Sequence, residues 1–127
     1  MGISPVLDIV CLCAAWCGTC KDYAATFEQL RAAWPGHRCR WIDIEDEADR
    51  VGDIDVETFP TLLIACDGVV WFAGPVLPRL TDAQRLVEVT RAQVVGGAPV
   101  PDAGVLGLPP DQFEAFTALA RGLLAEA

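Results

Sequence analysis

Two cysteines three residues apart stand in the segment Trp16-Cys17-Gly18-Thr19-Cys20-Lys21. They follow an apolar run and open a stretch with helical spacing, which puts the pair at a strand-to-helix junction. A thiolate at a helix N-terminus faces unpaired backbone N–H groups and the positive end of the macrodipole, and both favour the charged, nucleophilic form. Two cysteines within one helical turn can also close a short disulfide, so that one attacks and the other resolves. The local chemistry is that of a reversible dithiol centre.

The elements that must position this pair are legible in the hydrophobic pattern. Val6 to Ala15 is apolar throughout except for Asp8, as expected of a strand buried on both faces. A helix is predicted from Cys17 to Ala33, with Tyr23, Phe27, Leu30 and Trp34 as its buried stripe and Pro35-Gly36 as its stop. Arg38 to Ile44 reads as a second strand, and the acidic stretch Glu45 to Asp53 as a short helix or irregular segment. Thr61 to Cys66 and Val69 to Ala73 read as two strands joined by an Asp67-Gly68 hairpin turn. Thr81 with Gln84 predicts a capping box opening a helix to Val95, buried through Ala83, Leu86, Val87, Thr90 and Val94. Residues 96–108 read as a connecting loop. Pro109-Pro110 start a last helix with Phe113, Phe116, Ala120 and Leu123 on one side.

The chain has 127 residues, suited to one domain, and is 53% hydrophobic, enough for a core without structural disulfides. A net charge of −9 with nine scattered Lys and Arg argues against nucleic acid, which needs a basic patch. No run approaches the ~20 apolar residues of a membrane span, and the apolar run Ile9 to Ala15 is too short and lacks the basic flank of an export signal. Six cysteines without such a signal point to a reducing compartment, with the cytoplasm as the expected location.

The order β-α-β-(α)-β-β-α, with C-x-x-C where strand one meets helix one, resembles the thioredoxin-like superfamily. Ala15-Trp16-Cys17-Gly18-Thr19-Cys20-Lys21 is similar to the family's A-x-W-C-G-P-C-K signature, with Thr19 in place of proline. Phe59-Pro60-Thr61 before Leu62-Leu63-Ile64 is similar to its Pro-Thr-apolar strand, where the proline is cis; Asp67-Gly68 matches the hairpin turn and Gly74 a glycine after the fourth strand. The likeness covers Val6 to Val95; the family's first strand and helix have no counterpart, and residues 96–127 lie outside the pattern. The resemblance implies an α/β thioredoxin-like fold, a mixed central β-sheet flanked by helices with an extra C-terminal helix. Its expected division is residues 1–95 as the thioredoxin-like domain and 96–127 as a loop and helix packed on it.

By the same resemblance Cys17 is the nucleophile, Cys20 the resolving thiol and Trp16 an apolar contact surface. Pro60 lies against the dithiol, leaving the Phe59 backbone to pair with an extended substrate segment. Thiolate attack gives a mixed disulfide, and Cys20 then displaces the partner. The implied partners are disulfide-containing protein substrates and a thiol reductase or glutathione as electron donor; no organic cofactor and no metal is implied. The chain also departs from the family. The buried carboxylate expected six residues before the first cysteine is Cys11, the nearby lysine aligns with Trp41, and Cys13 stands where a tryptophan is usual.

Several residues carry two readings. Cys11 and Cys13 share one strand face; they are small buried hydrophobes, or Cys11 lies within reach of Cys20 and competes for its disulfide or tunes it. Cys11, Cys13, Cys17 and Cys20 could also furnish a four-thiol zinc site, although strand cysteines suit one poorly. Cys39 and Cys66 read as core and His37 as a solvated loop residue. Asp43 to Glu57 holds eight carboxylates against one Arg50, either a solubilising face or a surface that steers basic partners. Phe113 and Phe116 pack on the domain or form a docking surface. Against the exchange activity stands a second function class, a binding, assembly or redox-sensing factor with a non-catalytic dithiol, favoured by the missing carboxylate and lysine.

Overall fold

In the computed structural model, which describes residues 5–126, a four-stranded sheet carries helices on both faces. The elements run β1 Leu7–Cys13, α1 Gly18–Ala33, β2 Arg38–Asp43, α2 Ala48–Val51, β3 Thr61–Cys66, β4 Val69–Pro75, α3 Leu80–Val95, α4 Ala103–Leu106 and α5 Pro110–Ala125. The strand order is β2-β1-β3-β4. β1 pairs parallel with β2 and antiparallel with β3, and β3 pairs antiparallel with β4, so the sheet is mixed.

Every residue of β1 is buried, and the period of two divides them between two cores. Leu7, Ile9, Cys11 and Cys13 face α1 and α3, packing with Cys20, Tyr23, Phe27, Leu30, Ala83 and Val87. Val10 and Leu12 face the other way, into a layer with Ile42, Leu63, Ala65, Val70 and Ala73 that α5 covers through Phe116, Leu119, Ala120 and Leu123. Asp8 interrupts the apolar run because Arg38 on the neighbouring strand meets its buried carboxylate with two hydrogen bonds, at 2.6 and 3.1 Å.

The Asp67-Gly68 hairpin is as predicted, with both residues at positive φ, 52° and 79°. Gly68 also lies beneath α5: a Cβ there would stand 3.3 Å from Arg121 Cγ and 3.4 Å from Leu124 Cδ2. Turn and helix packing demand the same residue.

Four readings change. α3 begins at Leu80 with Arg79 as its cap residue, so Thr81 sits inside the first turn and no capping box forms. Instead the Arg79 guanidinium donates to Asp82 at 2.7 Å. The 96–108 connection contains α4, capped by the Asp102 carboxylate accepting from Val105 N–H at 2.9 Å and closed by left-handed Gly107. β4 continues through Gly74 to Pro75. His37 is half-buried and structural: its Nδ1 accepts the Leu7 N–H at 3.0 Å, fastening the start of β1 to the turn before β2.

Two outcomes are expected. Phe116 is 3% exposed, so Phe116→Ala should lower the unfolding free energy in urea by ~3–5 kcal/mol, with Phe116→Leu milder; an unchanged midpoint would show that α5 contributes nothing to the core. Burial, and then the nearby Arg91, hold the His37 imidazole below its ordinary value. The unfolded chain therefore takes up this proton at a higher pH than the folded one. The contribution to stability is whole above about pH 6.5 and is lost as pH falls through the folded value. Denaturation midpoints followed from neutral to mildly acidic pH should fall less steeply for His37→Asn than for wild type.

Candidate active site

The turn from β1 into α1 makes Cys17 the cap residue of the helix. Its backbone is extended (φ −86°, ψ 122°), its N–H donates to the Ala14 carbonyl at 3.0 Å, and its carbonyl accepts from Lys21 N–H at 3.2 Å. The first turn of α1 contains no acidic residue, so no carboxylate opposes the helix dipole there. The Cys17 sulfur is free and half-buried. Gly18, Thr19 and Lys21 are exposed around it.

Cys20 sits one turn into the helix and turns to the sheet, where it is 2% exposed. There it is bonded to Cys13, the last residue of β1, with the two Cα atoms 5.7 Å apart, within the usual ~4.4–6.8 Å span of a disulfide. The bonded pair in this structure is therefore Cys13–Cys20, and the C-x-x-C pair expected from sequence is not joined. The reason is geometric: Cys13 shares the α1-facing side of β1, and the first turn of α1 folds back over the strand end. Cys13, not Cys11, stands against Cys20. Cys11 lies one step deeper, its sulfur 3.7 Å from that of Cys13, and burial pushes its thiol up.

Where the resemblance placed a carboxylate and a lysine, the structure holds this thiol and Trp41, which pairs with Cys11 in register and meets Phe27 edge-on at 5.8 Å. Tyr23, further along α1, buries a hydroxyl that has no hydrogen-bond partner among the described residues. Burial, ahead of the nearby Cys11 and Asp82, pushes that phenol up. Cys39 and Cys66 are buried as expected, and desolvation raises both thiols. Among the described residues, no three His, Cys, Asp or Glu side chains gather as a metal set.

The outer rim is aromatic and anchored. Trp16 is 63% exposed, its ring edge-on to Phe59 at 5.5 Å, and its indole N–H donates to Glu45 at 2.6 Å. Glu45 is presented by the turn after β2, where the Asp43 carboxylate accepts the Glu45 and Asp46 N–H groups at 2.9 and 3.1 Å. Those bonds hold Asp43 below the usual carboxylate range. The Phe59–Pro60 bond is cis. Pro60 is buried, its carbonyl accepting from Val76 N–H at 3.1 Å, and the Thr61 hydroxyl donates to the Thr58 carbonyl at 2.7 Å. Among the described residues, neither the N–H nor the carbonyl of Phe59 is hydrogen-bonded.

Trp16, Cys17, Cys20, Phe59 and Pro60 thus gather at one end of the sheet, Cys17 and Phe59 packing on the same core layer. Two features of the site escaped the sequence reading. Cys13, read as a buried hydrophobe or one of four zinc thiols, is the partner of Cys20; the signal was its place at the strand end nearest the C-x-x-C turn, on the α1 face. Glu45 left no comparable signal, since its contact depends on the path of the turn after β2.

A family model described as Thioredoxin matches residues 5–74. No curated protein matches the chain. Solved structures similar to it include thioredoxin from Fasciola hepatica, 21% identical, covering 68% of this chain and 83% of that one with a TM-score of 0.61. The oxidised mitochondrial thioredoxin 3 of Saccharomyces cerevisiae is 22% identical, covering 67% and 79% with a TM-score of 0.57. The oxidised thioredoxin of Plasmodium falciparum is 20% identical, covering 69% and 84% with a TM-score of 0.59. Each shares the fold, and the family model spans more than half of the chain. With a mixed sheet between helices, a C-x-x-C turn and a cis proline in the loop before β3, the chain belongs to the thioredoxin family.

Proposed function

We propose that the protein carries out thiol–disulfide exchange on protein substrates, Cys17 attacking and Cys20 resolving. The observation that carries this reading is the free Cys17 thiol at the N-terminus of α1, one turn before Cys20 and beside the Trp16–Phe59 rim. The helix end leaves the Cys17 sulfur half-buried and open to a substrate. The exposed Trp16 gives a substrate apolar contact, and the unpaired Phe59 main chain can bond an extended segment by strand addition. Cys17 forms a bond to one substrate sulfur as the substrate disulfide breaks. Cys20 then attacks the Cys17 sulfur and releases the second substrate thiol. A thiol reductase or glutathione, in the cytoplasm, first frees Cys20 from Cys13 and after each round reduces the Cys17–Cys20 bond that the exchange leaves.

A second reading is favoured by the Cys13–Cys20 bond itself, which leaves Cys17 as a lone thiol. In that reading the domain binds or senses partners without turnover.

The two separate in one assay. Wild type should reduce a generic protein disulfide such as insulin with turnover, Cys17→Ser should fall to the uncatalysed rate, and Cys20→Ser should accumulate a mixed disulfide at Cys17. A binding factor shows no turnover in wild type. In the native fold, Cys17 should be alkylated first, while Cys11, Cys39 and Cys66 react only on unfolding; equal labelling of all four would contradict the assigned nucleophile.

A further inference from the structure

The Cys13–Cys20 bond crosses from β1 to α1 in a closely packed layer, Cys13 being 0% and Cys20 2% exposed. An oxidant of the size of glutathione or a protein disulfide meets almost no surface of either residue. Among the described residues at this end of the sheet, the cysteine it can reach is Cys17, free and half-buried. Cys20 is the link, three residues from Cys17 along the helix and bonded to Cys13. The sulfurs are ordered from surface to core as Cys17, Cys20, Cys13 and Cys11.

We infer that Cys13 is a second resolving residue that takes the disulfide over from Cys17, storing it between strand and helix and leaving Cys17 as a single thiol. The inference rests on the exchange reading above. After one round, a substrate disulfide has become two thiols and Cys17–Cys20 has formed. The Cys13 sulfur then attacks the Cys20 sulfur. A Cys13–Cys20 bond forms, the Cys17–Cys20 bond breaks, and the proton that Cys13 gives up ends on the departing Cys17 sulfur, which leaves as a thiol. This last step is redox-neutral, one S–S bond and one thiol replacing another.

Its direction follows from where the bond is left. The thiol released stands at the rim, half-buried and open to partners, while the new bond is uncharged and lies in the core, where no charged sulfur has to be desolvated. While Cys13 holds Cys20, Cys17 can capture a partner as a mixed disulfide but has no resolving thiol. Exchange resumes only when Cys17 attacks Cys20 in the reverse step. Cys13 therefore switches the centre between dithiol and monothiol chemistry.

The test uses the full chain as wild type, Cys13→Ser, Cys13→Ala and Cys17→Ser. Each is reduced, exposed to oxidised glutathione, acid-quenched over time, alkylated and peptide-mapped, with insulin reduction measured in parallel. In wild type, an early Cys17–Cys20 form should give way to Cys13–Cys20 with Cys17 alkylated. Either Cys13 variant should stop at Cys17–Cys20 and lose Cys17 labelling; the alanine variant serves if the serine one does not fold. In Cys17→Ser, Cys13–Cys20 should form at least about tenfold more slowly, because the accessible attacking thiol is gone. A wild type that turns over insulin but keeps Cys17–Cys20, with Cys13 always alkylated, overturns the takeover and leaves the exchange function standing. Equal rates of Cys13–Cys20 formation in wild type and Cys17→Ser overturn the route through Cys17. If no form reduces insulin and Cys20 pairs with nothing, the exchange reading falls and the inference falls with it.

Discussion

The interior position of β1 governs the rest of the molecule. The strand is hydrogen-bonded along both edges, parallel to β2 and antiparallel to β3, and both of its faces are buried. Its period of two decides which side chains meet α1 and α3 and which meet α5. A shift of one residue would exchange the two sets and carry Cys11 and Cys13 away from α1. The strand also ends where the chain must turn to enter α1, so the address of Cys17 follows from the address of Cys13. Site and core share one element.

Around that element the site divides into a polar outside and a dry inside. At the rim, Trp16 is held by Glu45 on one side and Phe59 on the other, a fixed apolar surface beside an exposed carboxylate-bearing turn. Inside, Cys11 lies behind Cys13 with Trp41 beside it in register, and Cys20 lines a small cavity with Ala14, Trp41 and Asp43. Proton movement in such a layer relies on thiols, which ionise reluctantly when desolvated. The carboxylate bordering the Cys20 cavity is that of Asp43, at the end of β2; deeper in, a ladder of thiols offers alternative bonding partners.

Much of this was legible in the chain. The strands, α1, the Asp67-Gly68 turn and the C-x-x-C junction each rest on local signals of composition and spacing, and the structure places them within a few residues. Legibility failed where the answer depends on how elements approach one another. Thr81 and Gln84 satisfy the pattern of a capping box, but α3 begins one residue earlier, at Leu80 with Arg79 as its cap residue. Gly and Pro flanking Ala103–Leu106 hid a single helical turn that Asp102 caps. His37 carries no periodic signal, and only the approach of β1 gives its ring nitrogen a donor. Cys11 and Cys13 are equivalent by alternation alone; the fold of α1 over the strand end distinguishes them.

The two cores are completed at different times. The redox layer is closed by α1 and α3, whereas the opposite layer waits for α5, the last of the described elements to be synthesised. Until α5 leaves the ribosome, Val10, Leu12, Ile42, Leu63 and Ala65 have only the short α2 and α4 on their layer, and a nascent chain with formed strands would present a largely open apolar sheet face. The chain therefore gains the geometry of its dithiol turn before it gains solubility on its far side. Its exposure to misassembly is concentrated in the interval between those two events.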